Sequence, residues 1–319
     1  MPTVMQAMNV SLTIPRMPSN EDAAGALAQL SERLRPRLHR YVARMAGSAL
    51  DGEDIVQEAL AKAALHYDPA TVREPDAWLF RIAHNAALDF LRHRALERSL
   101  FVDREGDPDV EHPSDAAGLL MDDPVSRAQT TAAALSTFMQ LPARQRSAVI
   151  LFDVLGHALD ETAQLLDTNV SAVKAALHRG RTRLRELGRL GEESGTPTQI
   201  SPEQHSLVQL YAQRFNARDF DGLRDLLAQD VRLNLPGRVT ASGKAQVSGY
   251  FGNYAKVYDV RATPAIIEGR PGLWMIEDDP AQPAYPVVLK WRDGQLTGIL
   301  DFRYARYVGE TLLPGRQQP

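Results

Sequence analysis

Residues 169–185, NVSAVKAALHRGRTRLR, limit the folds open to this chain more than any other stretch. At helical spacing Val170, Val173, Leu177, Leu184 and Leu187 make one apolar stripe. Lys174, His178, Arg181 and Arg185 fall at i, i+4, i+7 and i+11 on a separate face, which Arg179 and Arg183 widen. From 170 to 190 there are six Lys/Arg against one acid, Glu186. Such a helix buries one side in a small core and offers the other to a polyanion.

What precedes it gives that face a use. The run DETAQLL, residues 160–166, opens on an N-cap-type residue, Asp160, and reads as one short helix. Asp167, Thr168 and Asn169 make a polar turn. Two short helices joined by three or four polar residues are the helix-turn-helix plan, whose second helix enters the major groove. Lys174, His178, Arg179 and Arg181 are best placed for bases or phosphates; Arg183 and Arg185, further along, suit phosphate, which positions without specifying. A basic solvated helix in an unrelated bundle is the bland alternative.

Bulk composition sets outer limits. The 319 residues suffice for two or three domains, and 44% hydrophobic with 24% charged residues is ordinary for a globular chain. Net charge is only −4, so any attraction to nucleic acid is local. The absence of cysteine excludes disulfides, thiolate metal sites and a cysteine nucleophile, and fits a reducing cytoplasm. No apolar run of about 18 residues predicts a membrane span, and the N-terminal twenty residues read as a disordered lead-in without a signal peptide.

Composition divides the rest. Residues 21–95 are helix-rich; 96–123 carry nine acids, two arginines and two prolines, a linker composition; 124–190 are helical again; 191–200 form a short second linker; 201–310 hold two of the three tryptophans and alternating strand patterns. The fold class expected is therefore multidomain, with two all-α domains, the second a helix-turn-helix, followed by an α+β domain.

Within the first zone, residues 52–65 make an amphipathic helix with Ile55, Val56, Ala59, Leu60 and Ala63 on its apolar face. Asp54, Gln57 and Glu58 share the other face. No His or third acid lies at ligand spacing, so the face is either simply solvated or a dock for a basic partner helix. Residues 76–94 form the next helix, with Pro75 near its first turn and Leu79, Ile82, Ala83, Ala86 and Phe90 as core stripe. Arg81, Asn85, Leu88 and Arg92 lie on another face, and Trp78 and Phe80 sit at its start. Aromatics beside Arg and Asn suit unstacked bases, while aromatics at a helix start also serve as core.

These blocks, DGEDIVQEALAKAALHY, PDAWLFRIAHNAALDFLRHR, the acidic linker and LPARQRSAVILFDVLGHALDETAQLLDTNVSAVKAALHRGRTRLREL, together resemble the extracytoplasmic-function (group IV) bacterial sigma factors, over roughly residues 25–190. The resemblance implies that Asp54, Gln57 and Glu58 grip the β′ clamp helices of core RNA polymerase. It implies that Phe80, Arg81, Asn85 and Arg92 belong to the −10 recognition and melting helix, and that Lys174, His178, Arg179, Arg181 and Arg183 read the −35 element. The family often carries Arg or Ser where this chain has Ala175 and Ala176, which leaves base preference open. A sigma factor changes no bond, so no enzyme activity, catalytic residue, metal or cofactor is assigned; the partners implied are core polymerase and promoter DNA in the cytoplasm, with no membrane. The acidic linker reads equally as an RNA mimic in the polymerase channel or as a plain tether.

In the tail, Ser201-Pro202 opens a helix with Leu207, Val208, Tyr211 and Phe215 as apolar side; a second helix holds Phe220, Leu223, Leu226 and Leu227. Val231, Leu233 and Leu235 alternate as a strand, a helix spans about 244–258, and strands fall near 260–268, 272–277, 285–292 and 295–307, with a hairpin turn at Asp293-Gly294. Helices followed by a curved antiparallel sheet, opening on LVQLYAQRFNARDFDGLRDLLAQDVRLNLPG, resemble the SnoaL-like members of the NTF2 superfamily, an NTF2-like cone. Some relatives there are cyclases or isomerases that need a carboxylate in an apolar cone, for which Asp301 and Glu268 on strands and Asp230 at a helix end are the acids available; a structural role is the alternative. A small-molecule ligand in this domain is left open. Two rival readings remain beside a sigma factor with a fused regulator: a tail that is itself a ligand-converting enzyme, and a ligand-sensing helix-turn-helix regulator that needs no polymerase.

Overall fold

The computed structural model describes residues 20–102, 138–190, 200–256, 259–279 and 284–312. The lead-in, most of the acidic linker and the 191–199 connection lie outside the described residues.

The first described residues form three helices: α1 (Asn20–Ala46), α2 (Ala49–His66) and α3 (Pro75–Val102). Ser48 caps α2, its hydroxyl accepting the Asp51 N–H at 3.0 Å. Gly52 lets α2 lie against α1: a Cβ there would stand 2.7 Å from Ala43 Cα. α3 continues seven residues past the composition break at 95, because charged but helix-competent residues extend it.

A second helical set follows: α4 (Ala143–Val149), a π-helical turn (Ile150–Val154), α5 (Leu159–Leu165) and α6 (Val170–Leu190). Ala158, not Asp160, precedes α5 and gives no side-chain cap; Asp160 sits in the first turn. α4, α5 and α6 share a small core of Ala148, Val149, Ala163, Val173, Ala176 and Leu177. This set does not stand apart from the first. Ile150, Leu151 and Leu165 enter one continuous core with Leu34, Leu38, Tyr41, Val42, Leu79 and Phe80.

The tail holds α7 (Pro202–Asn216), α8 (Phe220–Asp225), β1 (Leu227–Leu235), β2 (Val239–Ser242), α9 (Lys244–Tyr254), β3 (Val260–Ile267), β4 (Arg270–Glu277), β5 (Tyr285–Arg292), β6 (Gln295–Asp301) and α10 (Tyr307–Leu312). Ser201 and Gln204 form the capping box that starts α7. The strands lie in the order β2-β1-β6-β5-β4-β3. Four of the five pairings are antiparallel as expected; β1 against β6 is parallel, because β6 returns to the sheet centre after the β3–β5 meander. Bulges in β1 and at Lys290/Trp291 bend the sheet. The last strand stops at Asp301, short of 307, and α10, which no local pattern signals, follows. Asp293 and Gly294, at φ 52 and 74, make the primed turn that Asp-Gly predicts.

Both faces of this sheet are covered, so β5 is buried for five consecutive residues instead of alternating. Leu273, Met275, Val287 and Leu289 face the core made with α7 and α9. Trp274, Val288, Ala265 and Phe302 face α10 and, from the first helical set, Ala49 and Leu50.

Candidate nucleic-acid interface

The cationic helix is α6. Asn169 caps it, its Oδ1 accepting the Ala172 N–H at 2.8 Å. The turn before it reverses the chain through Asp167, at φ 50, with the Thr168 N–H donated to Ala163 O at 2.9 Å. Val173, Ala176 and Leu177 are buried, which turns Lys174, His178, Arg179, Arg181, Arg183 and Arg185 outward. Ala176 is therefore core, and Ala175 is half-buried.

The outward cations are not equivalent. Arg181 is committed to Asp153 through two nitrogens, Nε at 2.9 Å from Oδ2, with its guanidinium 5.5 Å above the Phe152 ring. Arg183 pairs with Glu186 at 3.4 Å. Lys174 and Arg179 have no ion pair among the described residues. The sequence placed Arg181 among the readers; the structure ties it to Asp153 of the π-helical turn, which helical spacing alone does not reveal.

On α3, Asn85 and Arg92 are exposed, Arg92 paired with Asp89 at 2.6 Å, and Arg81 is half-buried. Phe80 is not on that surface. It is 5% exposed, its ring 4.8 Å from Tyr41 and met edge-on by His157 at 6.0 Å. His157 comes from the turn before α5, so the second helical set covers the aromatic at the start of α3. Trp78 is half-buried, 5.5 Å from Tyr67. A buried guanidinium holds the two sets together: Arg146 donates to the carbonyls of Met45 on α1, Met139 and Leu141. Nothing in LPARQR signals that role.

On α2, Asp54 and Glu58 are exposed and Gln57 half-buried. Glu58 pairs with Lys62 at 2.7 Å, and the Gln57 amide turns to Glu53 at 3.3 Å.

The tail is seated on the first turns of α2, next to Asp54, on which Arg270 and Lys290 of the tail act. Glu268 lies in the β3–β4 turn at φ 46, outside the strand expected for it. Its carboxylate accepts from Ser48 Oγ and Ala49 N, both at 2.6 Å, and from Leu50 N at 3.2 Å. The two backbone donors are unpaired N–H groups at the positive end of α2. Burial pushes the Glu268 carboxyl up, and the three donors oppose that. Arg270 next pairs with Asp51 at 2.7 Å, and Asp51 also takes Arg94 of α3 at 3.2 Å. Tyr307 of α10 donates to Glu53 at 2.7 Å, while Arg35 joins both.

The other two tail acids have partners as well. Asp230, on β1 and not at a helix end, pairs with Arg292 at 2.8 Å. Asp301 is wholly buried and accepts from Tyr250 at 2.7 Å, Tyr254 at 2.8 Å and the Arg303 N–H at 2.8 Å. Burial raises its pKa, with those donors opposing. Among the described residues no cluster of His, Asp and Glu could hold a metal, and no helix is long and apolar enough to cross a membrane.

Comparison with known proteins now decides the family. Residues 30–97 match the model for Sigma-70 region 2, and 132–184 that for Sigma-70, region 4. The chain is 33% identical over 175 residues to RNA polymerase sigma factor CarQ of Myxococcus xanthus, covering 54% of this chain and 93% of that protein. It is 30% identical over 167 residues to ECF RNA polymerase sigma factor SigM of Mycobacterium tuberculosis, covering 51% of this chain and 76% of that one. The chain belongs to the ECF RNA polymerase sigma factors. As an alternative sigma factor it directs transcription initiation. Over most of its length this sigma factor also aligns with the crystal structure of Mycobacterium tuberculosis extracytoplasmic function sigma factor SigJ, at 20% identity, covering 89% of this chain and 98% of that chain with a TM-score of 0.34.

Proposed function

We propose that this sigma factor binds core polymerase through Asp54, Gln57 and Glu58, reads the −35 element chiefly with Lys174, His178 and Arg179, and engages the −10 strand with the α3 face of Arg81, Asn85 and Arg92. Arg183 and Arg185 supply phosphate contacts, and Arg181 acts mainly by fixing α6 to the π-helical turn at Asp153. Phe80 joins the −10 site only after the second helical set has moved off α3. The domain division proposed is a region 2 unit through α3, a region 4 unit ending with α6, and a SnoaL-like tail, whose order of helices, hairpin and central β6 supports that name.

The tail is the regulator, and it acts in the cytoplasm from within the same chain. The observation that carries this is the Glu268 carboxylate on the N–H groups of Ala49 and Leu50, backed by the Arg270–Asp51–Arg94 chain of ion pairs. A tail that grips the start of α2 and, through Asp51, the −10 helix α3 biases how both are presented to polymerase. In vitro run-off transcription with core polymerase and a promoter library, full length against a chain truncated after 195, tests the reading. Promoter-specific transcripts are expected only with core, at a different level once the tail is gone. A chain that never joins core yet binds closed duplex tightly overturns it in favour of a polymerase-independent regulator.

A further inference from the structure

We propose that the cleft between α1, the start of α3 and α5 binds a small amphipathic carboxylate, which clips the two helical sets together. The cleft encloses about 320 Å³, within the range of small-molecule sites. Its floor is apolar: Leu34, Ala77, Phe80 and Leu165. One wall comes from α1 and α3, the other from His157, Glu161 and Gln164 on and before α5.

The charge at the rim selects the ligand. Three carboxylates line it, and each has a partner. Asp76 receives Arg33 through two bonds, at 2.6 and 2.8 Å. Glu161 takes the His157 Nδ1 at 2.7 Å. Glu74 accepts from the Gln164 amide. Arg37 also lines the cleft and is exposed; its charge helps hold Asp76 ionised, but it makes no hydrogen bond among the described residues. The one charged group with unspent donors is thus a guanidinium, whose fork fits a carboxylate in two bonds. A flat apolar body would lie over Phe80 and Leu165 with its carboxylate on Arg37.

Because the two walls belong to different sets, such a ligand gains its full contacts only while α5 rests on α3. It therefore shifts the population toward the arrangement that covers Phe80. Lowered transcription is the consequence; that step rests on the sigma reading above, whereas binding does not.

The test uses the full chain and 2-naphthoate, with 2-naphthylmethylamine as the opposite charge. Titration calorimetry is expected to show saturable naphthoate binding that weakens about tenfold or more in Arg37→Ala, with the amine binding more weakly than the acid. The cysteine-free background permits a dye pair at Ala64→Cys and Ser171→Cys, and naphthoate should narrow its distance distribution toward the closed form. Arg37→Lys should recover part of the affinity. No saturable binding, equal binding by Arg37→Ala, or an amine that binds as tightly as the acid sinks the site. Failure of wild-type transcription with core polymerase, by contrast, would sink the sigma reading and leave a binding result standing.

Discussion

The Glu268 carboxylate meets the Ala49 N–H at 2.6 Å across 219 residues of sequence. Ala49 is the first residue of α2, so a residue of the tail completes the start of a helix in the first unit. Charge-assisted hydrogen bonds are each worth about 1.5–3 kcal/mol. Glu268→Ala is therefore expected to loosen the tail from α2 by about tenfold to a hundredfold or more in the docking equilibrium, with faster amide exchange at Leu50 and Asp51. It should move transcription in the same direction as truncation. Unchanged exchange in α2 would remove the contact from the regulatory scheme.

Lys174→Ala and Arg179→Ala should each lower −35-dependent transcription by an amount corresponding to about 1–3 kcal/mol, while association with core polymerase persists. Arg181→Ala should act differently. Its bonds to Asp153 are intramolecular, so the variant should lower the protein's melting temperature slightly along with activity. Loss of core binding in the first two variants would contradict their assignment to DNA.

Glu58→Lys reverses a charge on the exposed face of α2 and breaks the pair with Lys62. Weaker co-purification with core polymerase is expected at moderate salt, with little change in folding, since exposed pairs contribute at most about 1 kcal/mol. Undiminished co-purification would refute a docking role for this face.

Gly52→Ala places a methyl 2.7 Å from Ala43 Cα, against backbone that has no rotamer to yield. Forcing α1 and α2 apart should cost roughly 1–3 kcal/mol despite alanine's better helix propensity. Denaturant unfolding of the variant checks this; a stabilised protein would show that the helices separate freely.

His84 is held neutral by burial, its pKa lowered to about 4 from 6.5, with Nδ1 2.6 Å from the Tyr41 hydroxyl. Between those values the unfolded chain takes up a proton that the folded chain refuses. The stability is fully present above pH 6.5 and falls as pH drops toward 4, by about 3 kcal/mol at the lower end. Amide exchange of α3 against pH, wild type beside His84→Gln, reads the slope. Parallel slopes would mean another group is responsible.

Much of this molecule is legible in its sequence. The apolar stripe and cationic face of α6 follow from a period of 3.6, and the polar turn before it from Asp167 to Asn169. The capping box at Ser201 and the hairpin at Asp293-Gly294 follow from local chemistry. Strand burial was harder to read: β5 does not alternate, because α10 and the start of α2 cover a face that an isolated sheet would give to water.

Local patterns are encoded within a few residues, since the groups that satisfy them lie three or four positions away. Sequence alone therefore determined the helices with a clear apolar stripe, which face of α6 is cationic, and the order of blocks that marks a sigma factor, but not α10 or the helix ends at Asp225 and Tyr254. Only the tertiary structure decided that Phe80 lies beneath His157, that Arg181 is spent on Asp153, that Gly52 exists for Ala43, and that Glu268 caps α2. Each of those partners is chosen by how whole units pack, and a carboxylate or an aromatic ring carries no local mark of which distant surface will desolvate it.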